Sequence, residues 1–286
     1  MLLKKYDIRP SKGLGQNFLA DENALRKVVN AANLSEGDLV LEVGPGLGSL
    51  TRFLGASAGK VIAVELDEKL LPALHETLAP LDNVEIVMGD ILELDPANLL
   101  FSVDRGVEKE DLLSLVPKLQ TYKVVANIPY YITSALIRHL LEAEIQPSCI
   151  VLTVQKEVAQ RICEQPPKMS LLALSVQVYG EPKITAKIPA GSFYPAPKVD
   201  SSVVKIEIYP NPLIPHHLLP DFFRLAKAGF NQKRKMLRNA ISAGMAWSKD
   251  EAESALNAAG IDPQRRAQTL SVHEWETLTI NATQQS

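Results

Sequence analysis

The sequence predicts an α/β fold, a mostly parallel sheet covered by helices with an antiparallel edge, followed by a small all-α C-terminal domain. Three observations carry this. Short apolar runs alternate with stretches of helical periodicity through the first part of the chain. Two strand-like stretches then follow one another with no helix between them. A proline-rich break finally gives way to a remainder that is helical in pattern and poor in strands.

A basic stretch (Lys4, Lys5, Arg9, Lys12) leads into residues 13–19, and Asp21 is placed to cap a helix running through Asn33, so residues 1–20 read as an N-terminal arm. The runs 39–42, 61–65, 84–88, 122–126 and 149–154 read as strands; apolar on both faces, they belong to a parallel sheet with right-handed helical crossovers. The charged segment 101–119 reads as an excursion before the fourth strand. The stretches 184–188 and 202–209 flank the loop Phe193-Tyr194-Pro195-Ala196-Pro197-Lys198 and supply the antiparallel edge. Pro210, Pro212 and Pro215 stiffen the chain and divide it into an α/β domain, 1–209, and a helical domain, 210–286, where Ser248-x-x-Glu251 and Ser271-x-x-Glu274 read as capping boxes.

With 286 residues, 46% of them apolar, the chain fills one large core or two ordinary ones, and disorder is excluded as its dominant state. The 30 Lys and Arg against 33 Asp and Glu leave a net charge of −3, so a polyanionic partner has to meet a local patch. No apolar run reaches the ~18 residues of a membrane span, and Lys4 and Lys5 interrupt any signal-peptide core; the expectation is a cytoplasmic protein with no membrane partner. Cys149 and Cys163 lack a Cys-x-x-Cys spacing and the five histidines show no metal-ligand pairing with acids at helical spacing, so neither disulfide nor metal is expected.

Val40-Leu41-Glu42-Val43-Gly44-Pro45-Gly46-Leu47-Gly48 sets a glycine-rich turn between a buried strand and a helix, where α/β sheets bind ligands. A pyrophosphate fingerprint would be G-x-G-x-x-G; here the pattern is G-x-G-x-G after an acid, Glu42, which sits poorly beside phosphate and well beside an ammonium group. That favours S-adenosylmethionine over a dinucleotide. Glu65 ends the second strand, where a carboxylate can accept both ribose hydroxyls. Asp90 ends the third and can accept from an adenine amine, with Ile91 against the ring. Either acid alone would more ordinarily be a helix cap or a solvated charge; at successive strand ends they act as a set.

The fourth strand ends in Asn127-Ile128-Pro129-Tyr130. Taken as four letters this is a turn with a structural Asn and a packed Tyr, but after the fourth strand of a methyl-donor sheet it matches the N/D-P-P-Y/F pattern of amino methyltransferases. An adenine amine is a poor nucleophile because its lone pair is delocalised into the ring. The Asn127 side-chain carbonyl and the Ile128 backbone carbonyl can accept from that amine and favour a pyramidal nitrogen, while Tyr130 stacks on the base. Neither carbonyl is a general base; catalysis would be alignment and electrostatics.

Five motifs in order, residues 15–19, 42–51, 127–130, 155–161 and 193–199, resemble those of the rRNA adenine dimethyltransferase family, and the match runs from Lys12 into the C-terminal helices. The resemblance implies a class I, Rossmann-like, S-adenosylmethionine-dependent methyltransferase sheet. It implies Asn17, Leu19, Gly44, Glu65, Asp90 and Asn127 as donor contacts, the arm closing over the donor, and S-adenosylhomocysteine as product. Phe193, which unaided reads equally as a core anchor, would line the target-base pocket with Tyr130. The match is strongest to the small-subunit branch, implying dimethylation of two adjacent adenines near the 3′ end of 16S rRNA in an immature small ribosomal subunit. Two departures are visible: Ile128 stands where Leu is usual, and Lys168-Met169-Ser170-Leu171 lacks a frequent Tyr-Gly.

Residues 222–249 hold seven basic side chains and no acid. On a continuous helix Arg234, Lys235 and Arg238 share one sector, and with Lys233 they form the expected rRNA-binding face, which Arg265 and Arg266 would extend. A basic helix face is more often merely solvated. Competing readings are a large-subunit, Erm-type adenine methyltransferase acting on 23S rRNA, an assembly factor that checks immature subunits with methylation secondary, and a dehydrogenase, which the glycine spacing and residues 127–130 disfavour. With no long exposed apolar helix, a monomer is expected.

Overall fold

A computed structural model describes residues 2–101 and 121–283, so the expected excursion at 101–119 lies, but for Phe101, outside the described residues. The chain forms two compact units, residues 1–159 with 183–208, and 160–182 with 209–286.

In the first unit a short helix α1 (Leu2–Lys5) precedes β1 (Phe18–Leu19) and α2 (Glu22–Ala32). Asp21 caps α2 by accepting from the Ala24 N–H at 2.8 Å, and Asn33 ends it in the left-handed region. There follow β2 (Leu39–Val43), α3 (Ser49–Gly55), β3 (Lys60–Glu65), α4 (Leu71–Leu78), β4 (Val84–Met88), α5 (Pro96–Phe101), β5 (Tyr122–Asn127), α6 (Thr133–Leu141), β6 (Cys149–Gln155) and α7 (Lys156–Ile162), whose residues from Gln160 on group with the second unit. After α8 (Leu171–Gln177), which belongs to the second unit, come β7 (Gly180–Ile188), β8 (Phe193–Tyr194) and β9 (Ser201–Ile208).

The seven-stranded sheet has the order β4-β3-β2-β5-β6-β9-β7. Its pairings from β4 to β6 are parallel, and β9 runs antiparallel to β6 in the register Cys149↔Glu207 to Gln155↔Ser201. The α/β sheet with an antiparallel edge is thus as expected. From β2 the chain winds outward to β3 and β4, then returns to β5 on the other side. That reversal splays the helices and opens a crevice at the carboxyl ends of β2 and β5.

A second, two-stranded sheet pairs β1 with β8, Phe18↔Tyr194 and Leu19↔Phe193. Strands of two residues have no periodicity to read, so nothing in the local pattern announces them. Beneath them Leu19 and Phe193 join α2, α3 and the inner strands in one core that includes Val28, Leu54, Val125 and Val151.

The second unit is helical apart from residues 180–182 of β7: α8 is followed by α9 (Leu219–Asn231), α10 (Leu237–Met245), α11 (Lys249–Ala258) and α12 (Val272–Thr283). Trp275 is fully buried and stacks on Phe230 at 5.7 Å between centroids. The closeness requires Gly229, where a Cβ would meet the indole at 2.5 Å. Both capping boxes form: Ser248 with Glu251 on α11, and Ser271 with Glu274 on α12. A division at 209/210 would put residues 160–182 with the sheet, whereas they group with the C-terminal helices. The Met169 N–H donates to the Gln268 carbonyl (3.0 Å), the Leu213 N–H to the Val178 carbonyl (2.8 Å), and the Tyr179 ring stacks on Phe223 at 6.3 Å.

Candidate active site

The crevice at the carboxyl ends of β2 and β5 is a cavity lined by Asn17, Leu19, Gly44, Glu65, Asp90, Asn127, Ile128, Pro129, Tyr130 and Phe193, so all the residues expected to hold donor and target base meet in one place. Glu42 also lies on its wall.

Gly44, Gly46 and Gly48 have φ of 69°, 60° and 80°, values in which side chains are strained, so the loop between β2 and α3 needs glycine for its course alone. At Gly48 a Cβ would also meet Thr77 at 3.0 Å and Leu74 at 3.1 Å on α4. At Gly46 it would meet the Phe18 ring at 2.9 Å, because the arm lies across the loop.

Glu65 is buried at the end of β3, one carboxylate oxygen accepting from the Gly46 N–H and the other from the Asp67 N–H, each at 2.9 Å. Burial raises its pKa, and these N–H donors oppose the rise by favouring the charged form. One oxygen of Asp90 accepts from the Leu92 N–H at 2.9 Å, closing the turn after β4. Glu42 is 1% exposed, and its Oε2 finds no hydrogen-bond partner among the described residues. Burial drives its pKa up to about 8, the nearby Thr51 hydroxyl opposing the rise and the Glu65 charge adding to it.

Asn127 ends β5, and its Nδ2 donates to the Asn17 carbonyl at 3.1 Å. Only the amide nitrogen can donate to a carbonyl, which fixes the flip of the side chain and leaves Oδ1 as its acceptor. The Asn17 Nδ2 donates in turn to the Gly15 carbonyl at 3.0 Å. The Tyr130 hydroxyl lies 2.7 Å from Oγ of Ser201, a buried residue at the start of β9. Burial raises the Tyr130 pKa and the Ser201 contact moderates the rise, so the phenol is neutral at physiological pH.

The arm is tied at several points. Gln16 donates to Asp67 at 2.7 Å, Lys5 and Tyr6 both bind Glu76, and the Ala20 N–H donates to the Ser192 carbonyl at 2.9 Å. Phe193, 5% exposed, belongs to the core and to the cavity wall together, so the two readings of it coincide. Ser201, Gln16 and Phe18 escaped sequence reasoning. A pair of small polar residues, Ser201 and Ser202, opening a buried strand was the one available signal for Ser201.

The basic face differs from expectation. Helix α9 ends at Asn231 and α10 begins at Leu237, with the intervening residues in a turn closed by the Lys235 N–H on the Gln232 carbonyl at 2.9 Å. Lys233, Arg234 and Lys235 are exposed on that turn and share no helical sector with Arg238. Arg238 pairs with Glu253 on α11, and Arg265 pairs with Glu274 on α12. Both acids lie outside the basic window, where a local count of charge cannot see them. Among the described residues no cluster of His, Cys, Asp or Glu could hold a metal, and no helix is long and apolar enough to cross a membrane.

Comparison with known proteins gives a consistent result. The profile of the family described as ribosomal RNA adenine dimethylase matches residues 9–284. The chain is 46% identical over 279 residues to a Dehalococcoides mccartyi protein named ribosomal RNA small subunit methyltransferase A, covering 98% of this chain and 90% of that protein. It is 42% identical over 280 residues to a Moorella thermoacetica protein of the same name, covering 97% and 94%. A solved dimethyladenosine transferase from Plasmodium falciparum, 23% identical, shares the fold with a TM-score of 0.74 over 93% of this chain and 98% of that one.

Proposed function

The chain belongs to the ribosomal RNA adenine dimethylase family, and from that premise we propose that it transfers methyl groups from S-adenosylmethionine to the exocyclic amines of two adjacent adenines near the 3′ end of 16S rRNA. Relatives at 42–46% identity named for the small subunit favour this over a 23S rRNA substrate. The same reading makes the substrate an immature small subunit and the enzyme a cytoplasmic monomer.

The observation that carries the reading is the pinned Asn127 amide, held by the Asn17 carbonyl on the wall of the cavity that contains the glycine loop. The residues present fit the donor. Glu42 offers a buried oxygen without a partner, suited to an ammonium group, and the three glycines let backbone approach closely. Glu65 and Asp90 would take the ribose hydroxyls and the adenine amine. The donor supplies an electrophilic methyl on a sulfonium.

The protein's part is alignment. Asn127 Oδ1 and the Ile128 carbonyl accept from the target amine and turn its lone pair toward the methyl, and Tyr130 and Phe193 clamp the extruded base. Neither acceptor takes the proton, which leaves to water after transfer. Incubation with labelled donor and unmethylated small subunits, followed by nucleoside analysis, tests this: dimethyladenosine is expected, and label in cytosine or ribose would overturn it.

A further inference from the structure

We infer that Tyr131 and Tyr194 form a stacking platform at the mouth of the cleft for the single-stranded nucleobases that flank the target adenine. The inference rests on the RNA substrate proposed above. These two are the most exposed large apolar side chains among the described residues, at 61% and 58%. Each follows directly on a residue of the expected target-base pocket, Tyr131 on Tyr130 and Tyr194 on Phe193.

Local geometry explains why neighbours diverge. On β8 successive side chains point to opposite faces, so Phe193 goes into the core and Tyr194 to solvent. Tyr131 lies in the 3₁₀ turn Tyr130–Ile132 on the cavity wall, where a third of a revolution per residue leaves it more exposed than the half-buried Tyr130.

The arm runs beside both residues. Tyr194 is paired with Phe18 in the β1–β8 ladder, and the Tyr131 ring lies 3.4 Å from where a Cβ on Gly15 would sit. The step from Gly15 to Phe18 spans at most about 10 Å, so the two rings flank one short segment of chain beside the cleft. Two exposed lysines stand on the same stretches of chain: Lys12, whose carbonyl accepts the Gly15 N–H at 3.1 Å, and Lys198, four residues beyond Tyr194. Pre-set aromatic faces with neighbouring positive charge are the chemistry of single-stranded RNA, whose bases stack on the rings while the cations meet phosphates. A protein partner would call for an apolar cluster without those cations.

The test compares Tyr131→Ala with Tyr194→Ala, the double Ala variant, and the double Phe variant, in steady-state methylation of unmethylated small subunits. Stacking is sequence-tolerant and hydroxyl-independent, so each Ala change is expected to raise KM for the subunit roughly tenfold with a smaller effect on kcat. The double Phe variant should remain within about twofold of the parent. An unchanged double Ala variant, a kcat loss at constant KM, or a double Phe variant as impaired as the Ala one would each overturn the platform while the substrate reading stands. A parent protein that yields no dimethyladenosine would overturn that reading and the platform with it.

Discussion

Replacing Glu42 by Gln isolates a single buried carboxyl whose titration should show in folding stability. In the folded protein the carboxyl holds its proton up to about pH 8, against 4.5 when exposed. Between those two values the folded state binds a proton that the unfolded state has released, so stability falls as pH rises, with nothing lost below 4.5 and the full amount lost above 8. At about 1.4 kcal/mol per tenfold, the loss is roughly 3 kcal/mol at pH 7 and about 5 kcal/mol above pH 8. Urea unfolding of both proteins from pH 4 to pH 9 measures it, because the titrating groups that do not interact with Glu42 cancel in the difference. Glu42→Gln should gain on the parent by those amounts over that window, after a pH-independent offset from the amide itself. A difference that stays flat with pH would refute the reasoning. The same substitution should weaken S-adenosylmethionine. Binding of its ammonium group beside Glu42 at pH 7 should expel the proton, giving a buffer-dependent binding enthalpy that Glu42→Gln abolishes.

Asn127→Ala removes an acceptor from the target amine and should lower kcat for methyl transfer by roughly 10²-fold, measured by nucleoside analysis at saturating donor, with a smaller change in donor affinity by calorimetry. Gly48→Ala places a Cβ at φ 80° and at 3.0 Å from Thr77, and should destabilise the protein by about 1–3 kcal/mol in thermal melts. Reversal of Lys233, Arg234 and Lys235 to Glu should weaken small-subunit binding and flatten its salt dependence by about one per lost phosphate contact, while donor binding is unchanged. Arg238→Glu is the wrong probe for that surface, since Arg238 is paired with Glu253 and its charge reversal would report on packing between α10 and α11.

The strands β2 to β6 and their order in the chain were legible because each is a largely apolar run of five to seven residues, and β2 to β5 reach the cleft in or beside Glu42, Glu65, Asp90 and Asn127. The glycine loop was legible for a similar reason, since three left-handed residues in five leave little choice of side chain. The basic segment misled. Periodicity across residues 231–238 is helical on paper, yet the chain turns at 232–236 and resumes as α10. The acids that occupy Arg238 and Arg265 come from α11 and α12.

What the sequence determined alone is whatever a window of a dozen residues encodes: burial pattern, glycine conformations, the caps at Asp21, Ser248 and Ser271, and the tetrapeptide at 127–130. What only the tertiary structure decided is which distant residue meets which. The Asn17 carbonyl turns the Asn127 amide from 110 residues away, Ser201 holds the Tyr130 hydroxyl from 71, and Phe18 pairs with Tyr194. Such contacts leave no local trace, because a carbonyl, a hydroxyl or a two-residue strand looks the same in sequence whatever it later touches; their partners are chosen by where the sheet brings its loops together.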